Sequence, residues 1–193
     1  MHPRTARWSV PEQGLPHTDD DAALGAELAA VVAGARRRAV RDGDRQTDTA
    51  HLLHSLLEQD AEVRAAVGGA PRLTRLLGYL VQRSIGYGLR WQRAVEGAGV
   101  LAAVPAPAPQ GSERAAGGAH GDTGHWSPVA AAALEEARRR ARRRGAARVC
   151  GTDLLAGLVL DPRSRAVEVL ERAGIRTREL SARLDGRATD VRP

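Results

Sequence analysis

His51 and His54 stand three residues apart, a spacing at which two imidazoles on one helix face can share a metal ion. No third ligand lies within a recognisable spacing of them, so both are read as structural and no metal or cofactor is expected. His120 and His125 flank a glycine-rich stretch and make a weaker case. Cys150 is the single cysteine. It would serve as a nucleophile only beside a base in an electropositive, exposed pocket; just ahead of a helix start, it is expected to be a packed, inert thiol. Six arginines lie between positions 138 and 144 and four between 36 and 41. Guanidinium forks in such runs suit phosphate or acidic partners, but the same spacing is what a solvated face opposite an alanine stripe requires. No aromatic residue interleaves with them, which weakens a case for single-stranded nucleic acid. All 29 basic residues are arginine, so the chain has no lysine for a phosphate-binding Walker A loop. No catalytic constellation emerges, and an enzyme is not expected.

Positioning these residues falls to helices. The chain of 193 residues is 42% apolar but only 3% aromatic, with no phenylalanine, so its core must be built from Ala, Leu and Val, which suits close helix packing better than a sheet. Residues 1–18, with Pro3, Pro11, Gly14 and Pro16, read as a disordered arm. Asp19, Asp20 and Asp21 supply an acidic first turn for a helix carrying Leu24, Leu28, Val31, Ala35 and Ala39 and ended by Gly43. Asp48 or Thr49 caps a second helix with Leu52, Leu53, Leu56 and Leu57. A short helix with Val63, Ala66 and Val67 stops at Gly68-Gly69, and Pro71 opens another that can reach Trp91. An Ala/Pro/Gly-rich linker covers 95–125. Ser127-Pro128 then caps a helix with Ala130, Ala133, Leu134, Ala137 and Ala141, ended by Gly145, with Trp126 as a staple across its start. Further helices are expected over Gly151–Val159, around Ala166–Leu170 up to Gly174, and from Thr177 to near Gly186. The organisation predicted is therefore an arm (1–18), a first unit (19–94), a linker (95–125), a second unit (126–186) and a tail (187–193).

The two units echo each other at an offset of 102. Ala35-Arg-Arg-Arg-Ala39 with Gly43 recurs as Ala137-Arg-Arg-Arg-Ala141 with Gly145, and Leu52, Leu53 and Leu56 recur as Leu154, Leu155 and Leu158. Trp126-Ser127-Pro128, Gly145 and Val149-Cys-Gly-Thr-Asp-Leu-Leu-Ala-Gly-Leu158, with Asp48-Thr-Ala-His-Leu-Leu-His-Ser-Leu56 in the first unit, resemble the Clp N-terminal (Clp repeat) domain of ClpA- and ClpC-type AAA+ unfoldases. That resemblance implies an all-α fold of two tandem, pseudo-symmetric four-helix repeats packed as one bundle. It implies a non-enzymatic module that binds proteins of the Clp protease and chaperone system: an unfoldase, an adaptor or degradation substrates. The chain resembles a free-standing recognition domain without the motor. The ligand-binding positions implied are Thr49, Ala50, His51, Thr152 and Asp153. The family's phosphoarginine-binding Glu aligns without gaps at Ala50 and Thr152, and only a one-residue shift places Asp153 there, so phosphoarginine recognition is not expected. The net charge of +6 leaves a basic nucleic-acid-associated regulator as the alternative. With no secretory signal, no apolar run of spanning length and one cysteine, a cytoplasmic location without membrane contact is expected.

Overall fold

A computed structural model describes residues 24–82, 96–97 and 126–190. Eight α-helices run through them: α1 (Gly25–Asp42), α2 (Thr49–Gln59), α3 (Ala61–Val67), α4 (Ala70–Gln82), α5 (Pro128–Arg143), α6 (Gly151–Leu158), α7 (Arg165–Arg172) and α8 (Thr177–Asp190). The arm, the acidic run at 19–21, Trp91 and almost all of the linker lie outside the described residues. Among the described residues there is no strand, and no helix is long and apolar enough to cross a membrane. The fold of the described residues is thus an all-helical bundle, the class that the resemblance implies.

Local chemistry sets the helix ends. The Asp48 carboxylate accepts from the N–H groups of Ala50 and His51, and the Ser127 hydroxyl accepts from Ala130 N–H ahead of Pro128. Gly43 at φ 71° and Gly145 at φ 66° take the left-handed turn that closes α1 and α5. Two caps were not anticipated. Ser164, not the Asp161-Pro162 turn, caps α7 through Val167 N–H, and Glu171 caps the start of α8 by accepting from the Thr177 N–H and hydroxyl. Those donors hold the Glu171 carboxyl below its ordinary range. Helix α8 also runs past Gly186 to Asp190.

Helix α2 is the hub of the packing. It meets α1, α3 and α4 of its own half and α5, α6 and α7 of the other. The cross-contacts come in matched pairs: α3 on α6 answers α7 on α2, and α3 on α8 answers α7 on α4. Leu52, Leu53, Leu56, Leu154, Leu155 and Leu158 are all fully buried at the centre. The α1–α2 and α5–α6 pairs approach closely at the same point, since a Cβ on Gly34 would lie 2.2 Å from Ser55 Oγ and one on Gly157 2.3 Å from the Ala133 carbonyl. At Gly157, against backbone, only glycine fits; at Gly34 a larger residue would have to displace the Ser55 hydroxyl.

Candidate recognition site

The start of α2 and the start of α6 are built alike. In each, the third helical residue reaches back to the N-cap backbone: Asp48 N–H donates to His51 Nδ1 at 3.1 Å and Cys150 N–H donates to Asp153 Oδ2 at 3.1 Å. His51 and Asp153 are therefore structural counterparts, and so are Ala50 and Thr152, as the ungapped alignment requires. Around them the chemistry diverges. His51 is buried beside Asp42, Asp44 and Asp48, and ligand atoms of Asp44, Asp48 and His51 all lie within 4.8 Å of one another. Asp153 instead binds the Arg144 guanidinium and accepts from the Cys150 thiol at 3.0 Å. Burial opposes the Arg144 charge, but Asp153 and Cys150 together outweigh it and raise the guanidinium pKa.

Glu96 joins the halves. Only 6% exposed, its carboxylate accepts from Thr49 N–H at 3.0 Å, from the Thr49 hydroxyl, from the Ser127 hydroxyl at 2.7 Å and from Arg165 N–H at 2.7 Å. It thereby serves the N-termini of α2 and α7 at once, where backbone N–H groups lack helical partners. Ala166 N–H donates to the Thr49 hydroxyl at 3.0 Å, and Arg165 pairs with Asp48. Trp126 lies against this junction: it forms a bridge with Thr47, Ser127 N–H donates to Thr47 carbonyl at 2.8 Å, and the Arg36 guanidinium stands 5.2 Å from the indole centre. These contacts tie Trp126 to Thr47 and Arg36 of the first half, partners that the staple expected from sequence did not include.

A groove of about 370 Å³ opens between the start of α1, the end of α2 and the loop before α6. Leu24, Leu28, Leu56 and Val149 floor it, and Glu27, Asp60, Arg148 and Cys150 edge it. An apolar floor with a few charged groups at the edge is what a protein or peptide side chain needs. The basic run of α5 is not a bare positive surface. Arg138 and Arg142 pair with Glu135, Arg139 and Arg143 with Glu136, Arg140 with Asp185 and Arg144 with Asp153.

Of the residues singled out in the sequence, Thr49, Ala50, His51 and Asp153 are buried and Thr152 is half-buried. His51 and His54 do not meet at one point: His54 Nε2 lies 3.5 Å from Glu58, and burial with Arg38 nearby lowers the His54 pKa to about 4. Cys150 is half-buried among Arg144, Thr152 and Asp153. Glu96 fell inside the expected linker; its only signal was a lone acid in an apolar, glycine-rich stretch.

No protein-family model matches the chain, and no curated protein matches it. Among solved structures, the N-terminal domain of the caseinolytic-protease-associated chaperone ClpD from Arabidopsis thaliana is similar with a TM-score of 0.55 at 16% identity, over 90% of this chain and 99% of that one. A chain from structural investigations of a malarial protein secretion system is similar with a TM-score of 0.56 at 14% identity, over 88% and 97%. At such identities the likeness is one of fold.

Proposed function

We propose that this chain is a non-enzymatic protein-binding module of the Clp protease and chaperone system, recognising substrates or adaptors or competing with an unfoldase's own N-domain for them. The observation that carries this reading is the likeness in fold to a chaperone N-terminal domain along nearly the full length of that domain. The apolar-floored groove between α1, α2 and the loop before α6 offers the contact surface. The Thr49, Ala50 and His51 positions contribute from beneath, by fixing the start of α2, and Thr152 is the one of the set with a side chain partly open to a ligand. A cytoplasmic setting fits such a role.

The alternative, a basic nucleic-acid regulator, is disfavoured by the acid partners of the six arginines at 138–144, five of them in α5 and Arg144 just after it. Capture from a native lysate on the immobilised chain tests the choice. Enrichment of a Clp-type unfoldase, its adaptors or unfolded clients, weakened by Arg148→Glu at the exposed edge of the groove, is the expected result. Duplex DNA should bind weakly and lose affinity between low and physiological salt, as counterion release requires. Nuclease-sensitive capture, or sequence-selective sub-micromolar DNA binding at physiological salt, overturns the proposal.

A further inference from the structure

The open groove at the start of α1 has a counterpart at the start of α5, and there the chain fills it. The Glu96 carboxylate accepts from the Ser127 hydroxyl and from Thr49 N–H, and a Cβ on Gly97 would lie 3.0 Å from Val129 Cγ2 and 3.6 Å from Pro128 Cβ. The repeat offset of 102 carries Ser127, Pro128 and Val129 back to Gly25, Ala26 and Glu27, and carries Thr49 forward to Gly151. All four of those counterparts line the open groove. What the filled place holds is a stretch of polypeptide, with its backbone against the first turn of a helix and a side chain reaching in.

The two places differ in charge. Gly25 and Gly151 offer no hydroxyl where Ser127 and Thr49 do, and Asp60 takes up the space: a Cβ on Gly151 would collide with Asp60 Oδ2, while Asp60 Oδ1 caps α3 through Val63 N–H. The acid that faces this helix start is therefore built in. Arg148 stands where the filled place has Gln46, and its Cδ lies 3.4 Å from where a Cβ on Gly25 would be. Arg148 and Glu27 are exposed on the rim, and among the described residues neither has an ion-pair partner. The rim thus presents one charge of each sign over an apolar floor.

We propose that this groove receives a stretch of a partner protein in which a large apolar side chain lies between an acidic and a basic residue. The apolar side chain rests on the floor of Leu24, Leu28, Leu56 and Val149, the acid meets Arg148 and the base meets Glu27. This rests on the protein-binding reading above and adds the chemistry of the bound segment. Apolar burial supplies attraction, and the rim charges decide which segment stays. A segment with two acids faces Glu27 and one with two bases faces Arg148, so like charges reject both.

Calorimetry and amide NMR on the full chain, with end-blocked peptides carrying Glu-Leu-Arg or Arg-Leu-Glu in a Gly/Ser frame, test the site. One of the two orders should bind saturably and shift the amides of Gly25, Val149 and Gly151. It should bind about tenfold more tightly than counterparts with serine for leucine, with two acids or with two bases. In Arg148→Glu the preference should pass to the peptide with two bases, and in Glu27→Arg to the peptide with two acids; either variant serves should the other fail to fold. No saturable binding by either order up to millimolar peptide, shifts confined to other surfaces, or a preference unmoved by both variants overturns the proposal. Clp-type components captured from a lysate that neither the peptide nor Arg148→Glu displaces overturn it too, while leaving the protein-binding reading in place on another surface. Peptide binding in the groove without capture of any Clp-type component supports this site and counts against the Clp-system reading.

Discussion

His54 shows how one buried side chain makes stability depend on pH. Its imidazole is packed beneath the α1–α2 interface, and burial together with Arg38 outweighs the pull of Glu58, lowering its pKa from 6.5 to about 4. The unfolded chain takes up this proton as pH falls through 6.5, while the folded chain resists until about 4. The stability tied to neutral His54 is therefore complete above pH 6.5 and is lost progressively as pH falls toward 4. Full loss amounts to about 3 kcal/mol, of which roughly 2.5 kcal/mol is gone by pH 4.5. Urea midpoints at pH 7.5 and 4.5 for the native chain and His54→Gln measure it: the native chain should lose more than the variant by about that amount. Equal losses would mean that His54 is solvated in the folded chain. At this scale the sequence was legible where neighbours in the chain decide. Asp48, Ser127, Gly43 and Gly145 were readable as helix ends because caps depend on residues within a turn of each other. The surroundings of His51 were not, because Asp42 ends the preceding helix and Asp44 lies in the loop after it, where no fixed spacing points to a histidine.

Among the elements, the joint between α2, α5 and α7 depends on a residue belonging to none of them. Glu96 accepts from four donors, two of them N–H groups at the starts of α2 and α7, and removing it leaves those donors buried without that acceptor. Each unmet buried donor costs about 1–3 kcal/mol, with water able to replace part of the loss once the side chain is cut back. Glu96→Ala is expected to lower stability by roughly 3 kcal/mol, and Glu96→Gln by less, since one amide oxygen still accepts. Denaturant unfolding of the pair checks this; a loss below about 0.5 kcal/mol for Glu96→Ala would show that Thr49, Ser127 and Arg165 find other partners. The helices themselves were readable, since an apolar stripe at helical spacing needs only the helix's own residues. The joint was not, because Glu96 is 47 positions from Thr49 and 69 from Arg165, and a single acid in a glycine-rich stretch has the composition of a linker. Ser164 was missed for a related reason: Asp161-Pro162 advertises a turn more strongly than the serine that closes it.

For the whole molecule, the repeated leucines raise the question of whether the halves can fold apart. Helix α2 packs on α5, α6 and α7, and α3 packs on α6 and α8, so each half finishes its core against the other. Leu53 and Leu155, both 0% exposed, lie within this shared interior. A half on its own would expose the faces of α2 or α6 that the partner covers, and a bundle of about sixty residues has little core to spare. One cooperative transition is therefore expected for the full chain, with Leu53→Ala and Leu155→Ala each moving the whole of it by about 2–5 kcal/mol. Unfolding followed by far-ultraviolet circular dichroism and by Trp126 fluorescence, with Trp8 and Trp91 replaced by Phe, gives two probes of the same event. Coincident curves in both variants are the expected outcome. A transition that splits, with Leu53→Ala weakening one phase and Leu155→Ala the other, would mean that the halves are separable units and that α2 and α6 contribute little across the interface.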